Sequence, residues 1–346
     1  MRISVCIPQH NRARYLLANL EALRTQTHKD FEVIVSDDFS TDETMEVVPP
    51  FLEASGLDYK LLRQERNLGY DQNLRSALRA ATGDYLMILG NDDRLPDPDT
   101  LKRLSDVLER YNHPAVAFGN CQEFGQGPSP RATRTQLLGS GPDVALKTFR
   151  KFTVVMGIIF AREAYHAHDT DKFDGSVYVQ IYLASRIIAA GGTLLAIADV
   201  IAETGIHVGK RSPTYVDKLR NEKWRFRLHT GGLDQVGRVA YEAIEPYVPS
   251  NGRQSLVRKI FRQLLTTSYP LWLYTYRKDA GWGPAFNLAC GCYPPNLTHA
   301  VPHTTFTSAA LGAYHTAYTF AGLLTPLGVL GPIKGALQRA RNALHW

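Results

Sequence analysis

Two pairs of adjacent carboxylates are the first residues in this chain whose type and spacing suggest chemistry. Asp37-Asp38 follows the apolar run Phe31-Glu-Val-Ile-Val, and Asp92-Asp93 follows Asp84-Tyr-Leu-Met-Ile-Leu-Gly. A single acidic pair after a strand is often a turn cap, because aspartate favours turns. Two pairs that end two buried strands of one sheet are harder to read that way. They would crowd like charges into one crevice, which is unfavourable unless a cation or hydrogen-bond donors offset them. Mg2+ and Mn2+ are held by a few carboxylates and completed by substrate phosphates. A metal-bound nucleotide diphosphate is the natural guest.

Those positions need a frame that brings strand ends together. Ile3, Val5 and Ile7 alternate up to Pro8 as a first strand, and Leu16, Leu20 and Leu23 then recur at helical spacing. Residues 31–35 read as a second strand and 59–62 as a third. Asn67-Leu-Gly-Tyr opens a helix through Leu74 and Leu78, and 84–90 is a nearly continuous apolar strand, the pattern of a sheet covered on both faces. Asp97-Pro98 starts a helix with Leu101, Leu104, Leu108 and Tyr111 on one side. Strands separated by helices imply parallel βαβ units, and open sheets of that kind bind ligands at the carboxyl ends of their strands. Further on, 125–141 reads as a loop, 154–160 and 193–200 as strands, and 177–190 as a helix stopped by Gly191-Gly192. Beyond about residue 212 the pattern turns helical, with Leu256, Ile260, Phe261, Leu264 and Leu265 on one face and Pro270 as a stop. The expected division is a catalytic domain over 1–212 and a helical region over 213–346.

Composition narrows the class. The 346 residues carry 39 Lys+Arg against 33 Asp+Glu, a net charge of +6, and are 44% hydrophobic, which excludes a disordered or collagen-like chain. Cys6, Cys121, Cys290 and Cys292 make no disulfide framework, and Cys290-x-Cys292 lacks a second pair or a histidine at zinc spacing. The opening MRISVCIPQHNR is too polar for a signal peptide, so a cytoplasmic protein is expected. Residues 1–205 hold 22 basic and 27 acidic side chains, whereas 206–346 hold 17 and 6. A basic half of that kind faces an anionic partner. With no RNP, zinc-finger or basic-zipper pattern, membrane lipid is favoured and nucleic acid is not expected. The turn Pro8-Gln-His-Asn has no Gly-x-Gly-x-x-Gly, which argues against a nicotinamide oxidoreductase.

A series of motifs then runs in order through residues 1–120. They are Ile7-Pro8-x-x-Asn11-Arg12 with Leu20, Leu23 and Gln26-Thr27, then Val35-Ser-Asp-Asp-Phe-Ser-Thr-Asp42, then Arg66-Asn-Leu-Gly69, and finally Ala81-Thr-Gly-Asp-Tyr85 leading into Leu89-Gly-Asn-Asp-Asp93. Together they resemble glycosyltransferase family 2, and the Gly-x-Asp-Asp form most resembles its abequosyltransferase-like branch, which acts on lipid-linked surface polysaccharide intermediates. The resemblance implies an α/β GT-A fold, Rossmann-like with a mostly parallel central sheet and flanking helices. It also implies transfer, with inversion, of a sugar from a UDP-, GDP-, CDP- or dTDP-linked donor with Mg2+ or Mn2+. Carried over, the nucleotide sugar falls to Pro8, Asn11, Arg12, Asp37, Asp38, Arg66, Asn91, Asp92, Lys210 and Arg211, with Asp38 (or Asp37) on the base. Asp92 would face the ribose or the metal, Asp93 would bind the metal, and His207 in Ile206-His207-Val-Gly-Lys-Arg-Ser212 would complete the site. The family's common form has Asp where this chain has Gly90. The usual acidic position for the general base, about six residues before Arg186, holds Gln180, which cannot take a proton. Asp174 is the nearest replacement, with Asp171 as the alternative.

Residues 280–333 contain no Asp, Glu, Lys or Arg but keep Trp282, Phe286, Tyr293, Phe306, Tyr314, Tyr318 and Phe320. Thr325-Pro326 and several glycines interrupt the most apolar part, a poor match to a spanning helix. Two readings stay open. One is an ordinary buried helical subdomain. The other is a surface lying in an anionic membrane interface, with Arg258, Lys259, Arg262, Lys334, Arg339 and Arg341 beside apolar side chains. The second would make the protein peripheral at the inner face of the cell membrane, where a polyprenyl-diphosphate-linked saccharide acceptor of O-antigen-like polysaccharide synthesis resides. A soluble acceptor, or an inactive nucleotide-sugar-binding protein, are the alternatives.

Overall fold

The computed structural model describes residues 1–123, 128–205 and 232–329. They separate into two compact units, Met1–Lys210 and Arg211–Leu344.

The first unit is a mixed α/β structure on one nine-stranded sheet. Its strands are β1 (Ile3–Gln9), β2 (Phe31–Asp37), β3 (Tyr59–Arg63), β4 (Tyr85–Ile88), β5 (Val116–Glu123), β6 (Pro128–Ser129), β7 (Gln136–Gly139), β8 (Ile158–Ala161) and β9 (Leu194–Thr204). Their order is β3-β2-β1-β4-β8-β5-β9-β7, with β6 on β5. Strand β1 lies parallel to β2 and β4, β2 to β3, and β5 to β9, while β8 runs antiparallel between β4 and β5. The helices are α1 (Ala13–Arg24), α2 (Thr44–Ser55), α3 (Tyr70–Ala80), α4 (Thr100–Arg110), α5 (Pro142–Thr148), α6 (Arg162–His166) and α7 (Val179–Ala189).

Strands β1, β2 and β4 are buried almost throughout, which is why their sequences run apolar instead of alternating. Leu16, Leu20 and Leu23 of α1 and Leu101, Leu104 and Leu108 of α4 join their side chains in one core, each worth about 2 kcal/mol of burial. The register places Gln9 opposite Asp37 and Cys6 opposite Ile88. The turns after β1, β2 and β4 therefore leave the sheet at one edge, and the acidic pairs with them.

Two sequence expectations are revised, and one strand, β5, is not foreseen by the sequence. The stretch 125–141, read as loop, supplies β7, an edge strand antiparallel to β9. Strand β8 is shorter than the apolar run 154–160 because the chain turns at Met156-Gly157, with Gly157 at φ +69, just before it. Strand β5 has small residues where a sequence pattern would want large ones: a Cβ on Gly119 would overlap the Ile201 side chain of β9.

The second unit is helical: α8 (Leu233–Ile244), α9 (Arg253–Gln263), α10 (Tyr269–Ala280), α11 (Trp282–Gly291), α12 (Pro294–Leu297) and α13 (Thr305–Leu324). Leu256, Ile260, Phe261 and Leu265 are buried as their spacing implies. Pro270 does not end the helix. A π turn over Leu264–Ser268 widens the chain ahead of it, and the ring, with its missing N–H, is accommodated in the first turn of α10. Among the described residues no helix is long and apolar enough to cross a membrane. Trp282, Phe286, Tyr293, Phe306, Phe320 and Leu324 all remain exposed on this unit.

Candidate active site

The turn after β2 is closed by its own aspartate. Asp37 is fully buried, and its carboxylate accepts the Ser40 N–H at 3.1 Å and the Ser40 hydroxyl. Asp38, 3% exposed, takes the Leu68 N–H at 2.6 Å and the Gly69 N–H at 3.0 Å, so it anchors the loop on which Arg66 stands exposed. Asn11 holds φ +49 and accepts the Thr41 and Asp42 N–H groups at 2.7 and 3.2 Å, tying the turn after β1 to the turn after β2. Pro8 pairs with Ser36 within the ladder. Pro8, Asn11, Asp37, Asp38 and Arg66 thus share the carboxyl edge.

Buried amides fix the turn after β4. Asn91 donates to Gln9 Oε1 at 2.7 Å, Gln9 donates to Thr44 at 2.9 Å, and Asn19 of α1 donates to the Gly90 carbonyl at 2.9 Å. Arg12 donates to the Asp92 carboxylate, bringing two predicted residues into one ion pair. Asp93 is 3% exposed. Its Oδ2 accepts the Gly90 N–H at 3.2 Å, whereas Oδ1 has no hydrogen-bond partner among the described residues. Burial, and next the charge of Asp92, push Asp93 up to about 7, against the Thr204 hydroxyl, the Gly90 N–H and the Arg12 cation. The same carboxylate explains Gly90, since a Cβ there would overlap Asp93 Oδ2.

A buried carboxylate oxygen without a donor, beside a second carboxylate, is what a hard divalent cation completes. Among the described residues no three His, Cys, Asp or Glu side chains gather as a complete metal site. Two carboxylates suit an ion whose other ligands are phosphates and water. His207, Lys210 and Arg211 lie outside the described residues.

Of the two carboxylates expected for proton transfer, Asp174 is otherwise engaged. Arg75 of α3, 2% exposed, grips Asp174 with two bonds of 3.0 and 2.6 Å, and Asp169 lies 3.5 Å from the same guanidinium. Asp71 accepts the Val177 and Val179 N–H groups at 2.6 and 3.0 Å, strapping this segment along α3. A proton acceptor at Asp174 would first have to leave Arg75. Asp171 is exposed, and its carbonyl accepts the Asp174 N–H at 3.0 Å. Gln180 is buried in the first turn of α7.

Sequence reading passed over Gln9, Asn19 and Thr204. The available signal was an amide at the end of an apolar strand and another within the leucine pattern of α1. A polar cleft of about 710 Å³ lined by Met1, His28, Lys102, Asp106 and Glu109 opens at the opposite end of β1, away from all of these groups.

Residues 4–168 match the model of Glycosyl transferase family 2. Over those residues, just under half of the chain, the sequence is that of the family. The abequosyltransferase RfbV of Salmonella typhimurium is 36% identical over 111 residues, 32% of this chain and 33% of that protein. A GalNAc(5)-diNAcBac-PP-undecaprenol beta-1,3-glucosyltransferase of Campylobacter jejuni is 32% identical over 120 residues, 35% of this chain and 38% of that protein. The matched segment therefore spans little more than a third of either relative. Among solved structures, S. aureus TarS 1–349 in complex with UDP aligns with a TM-score of 0.59 at 17% identity, over 93% of this chain and 89% of that one. The mannosyltransferase PcManGT of Pyrobaculum calidifontis, in complex with GDP-Man and Mn2+, aligns with a TM-score of 0.53 at 22% identity, over 92% and 87%. These likenesses establish the fold, which is GT-A as the motifs implied.

Proposed function

We propose that the chain is an inverting, metal-dependent glycosyltransferase that moves a sugar from a nucleotide-diphosphate donor to a polyprenyl-diphosphate-linked saccharide. The observation that carries this reading is Asp93, buried at the carboxyl edge of the sheet with one oxygen that has no donor among the described residues. Asp38 and the Arg66 loop border the base, with Pro8, Asn11 and Asp37 shaping that pocket. Arg12, Asn91 and Asp92 flank the ribose and diphosphate, Lys210 and Arg211 add positive charge, and His207 is a third candidate metal ligand. Asp92 and Asp93 are the residues that would hold Mg2+ or Mn2+. When bound, such an ion offsets the charge that develops on the leaving diphosphate. The acceptor hydroxyl must lose a proton on the face opposite the diphosphate, and Asp171 or an unpaired Asp174 are the carboxylates available for it, a role worth about two to four orders of magnitude in rate.

The lipid-linked acceptor rests on the second unit and on the undecaprenol in the name of the Campylobacter relative. Arg277 stacks over the exposed Trp282 ring at 4.8 Å, and Arg258 over the exposed Phe306 ring at 5.6 Å. An apolar cavity of about 310 Å³, lined by Phe286, Tyr293, His315 and Thr319, opens on the same unit. Cations beside exposed aromatic rings, with no acidic residue after Asp279, suit an anionic membrane interface at the inner face of the cell membrane.

Transfer from radiolabelled uridine, guanosine, cytidine and thymidine diphosphate sugars, with Mn2+ or with EDTA, tests the reaction. Turnover that EDTA abolishes is expected, and full turnover in EDTA overturns the metal. Flotation with anionic vesicles, weakening as salt rises, tests the membrane. Equal recovery with neutral and anionic vesicles favours a soluble acceptor, and donor binding with no turnover on any acceptor favours an inactive binding protein.

A further inference from the structure

Phe39 sits where a bulky residue is least comfortable. Its φ is +58, in the left-handed region that glycine adopts freely and an aromatic residue adopts only under strain. The strain is imposed from both sides. Asp37 draws the Ser40 N–H and hydroxyl back across the turn, and the Asp38 N–H is fixed on the Gln9 carbonyl at 2.9 Å. Burial does not offset the strain, because Phe39 is 42% exposed. The Arg63 guanidinium lies 5.9 Å from the ring centre, near the outer limit of a useful cation–π contact. A side chain that is both strained and exposed contributes little to the fold. Phe39 also stands immediately beside Asp38, which orders Leu68 and Gly69 at the edge where a base would lie.

We propose that the Phe39 ring, backed by Arg63, is the platform on which the donor's nucleobase stacks. This rests on the glycosyltransferase reading above and adds a residue to it. A flat aromatic face accepts any base, so Phe39 contributes affinity and does not distinguish one base from another. The turn is strained in the free protein because it presents the ring, and the ligand is what fills the exposed face.

The test is calorimetric titration of the full chain with UDP, GDP, CDP and dTDP in Mn2+, using Phe39→Gly, Phe39→Leu and Phe39→Tyr, with thermal unfolding in the same buffers. Phe39→Gly is expected to weaken the bound nucleotide about tenfold without lowering the unfolding midpoint of the free protein, since relief of strain offsets the added flexibility. Phe39→Leu keeps the bulk and loses the π face, so it weakens binding similarly. Phe39→Tyr retains wild-type affinity. Pyrophosphate, which has no base, binds all four proteins alike. Wild-type nucleotide affinity in Phe39→Gly overturns the platform and leaves the enzyme reading intact. A wild type that binds none of the four nucleotides overturns both.

Discussion

The two ends of the central sheet each bury a carboxylate, and the fold treats them in opposite ways. At the amino end Glu32 of β2, 1% exposed, accepts the Ser4 hydroxyl at 2.6 Å, the Thr82 hydroxyl at 2.8 Å and the Gly83 N–H at 3.2 Å, with Lys60 at 3.5 Å. Burial works against its charge, yet the Ser4 and Thr82 bonds and the Lys60 ammonium outweigh it and hold Glu32 down at about 2. At the carboxyl end Asp93 is nearly as well buried, has no donor on one oxygen among the described residues, and is pushed up to about 7. The chemistry of the two side chains is the same, and what differs is the donors and the neighbouring charge folded around each. Glu32 staples β1, β2 and the turn before β4 together. Asp93 is only partly met by the described residues, which is the state in which the proposed cation would find it. Asp37 and Asp38 side with Glu32, since both are closed by backbone donors.

The largest expected effect falls on Asp93. Asp93→Asn should cut transfer about a thousandfold, the scale of losing a fixed charge at a developing charge. The unfolding midpoint should hold or rise, because the variant buries no ionisable group. Asp92→Asn should do less, since Asp92 already has Arg12 as a partner. A lowered midpoint with unchanged transfer in Asp93→Asn would make Asp93 a staple like Glu32.

Asp174→Asn comes next, and here the main loss should be stability. It strips the bidentate partner from a guanidinium that is 2% exposed, which costs about 3 kcal/mol. Denaturant unfolding measures this, and transfer should fall only as far as the folded fraction does. A hundredfold slower turnover at an unchanged midpoint would return Asp174 to the role of general base.

Glu32 should show its effect through pH. Its folded value of about 2 lies below the ordinary 4.5, so the ionised form favours the native state. The resulting stabilisation, about 2 kcal/mol after allowance for screening, is fully present above the unfolded value and disappears as pH falls toward about 2. Glu32→Gln should lose it at neutral pH and flatten the acid limb of a stability–pH curve. A variant as stable as the wild type at neutral pH would put Glu32 in the same class as Asp93.

What the sequence displays follows from how far apart the partners lie. Strands β1, β2 and β4 and helices α1, α3 and α4 announce themselves through local periodicity, and the motifs around Asp38 and Asp93 are consecutive. The donors that separate a stapled carboxylate from a partly met one are not local. Glu32 meets Thr82 across 50 residues, Asp38 meets Leu68 across 30, and Asp174 meets Arg75 across 99. Asp174 therefore looked available beside Gly175, although its side chain was already committed. Strand β5 was hidden for a related reason, because Gly119 is small to fit Ile201, a neighbour far along the chain. The strain at Phe39 is invisible in sequence, since Phe is a residue no turn rule assigns to φ +58.

The smallest expected effects come from two glycines that serve the two carboxylates. At Gly83, beside Glu32, a Cβ would meet the Arg2 carbonyl and the Ser4 N–H at 2.9 Å each, and the Ser4 hydroxyl at 2.7 Å. Backbone in a sheet cannot step aside, so Gly83→Ala should cost about 1–2 kcal/mol of stability and leave transfer per folded molecule unchanged. At Gly90 a Cβ would overlap Asp93 Oδ2 and come within 3.1 Å of its Cγ, and both atoms belong to the free end of a side chain that can rotate. The backbone of Gly90 is outside the left-handed region, so alanine brings no conformational penalty of its own. Gly90→Ala should therefore leave the midpoint almost unchanged, lower transfer about tenfold by swinging the Asp93 carboxylate, and raise the Mn2+ concentration needed for half-maximal rate. The pair separates the two edges with the same one-carbon change: stability alone moves at Gly83 and chemistry alone at Gly90. If Gly90→Ala lowers the midpoint as much as Gly83→Ala while transfer and Mn2+ requirement stay put, the Asp93 carboxylate is packing rather than waiting for a cation.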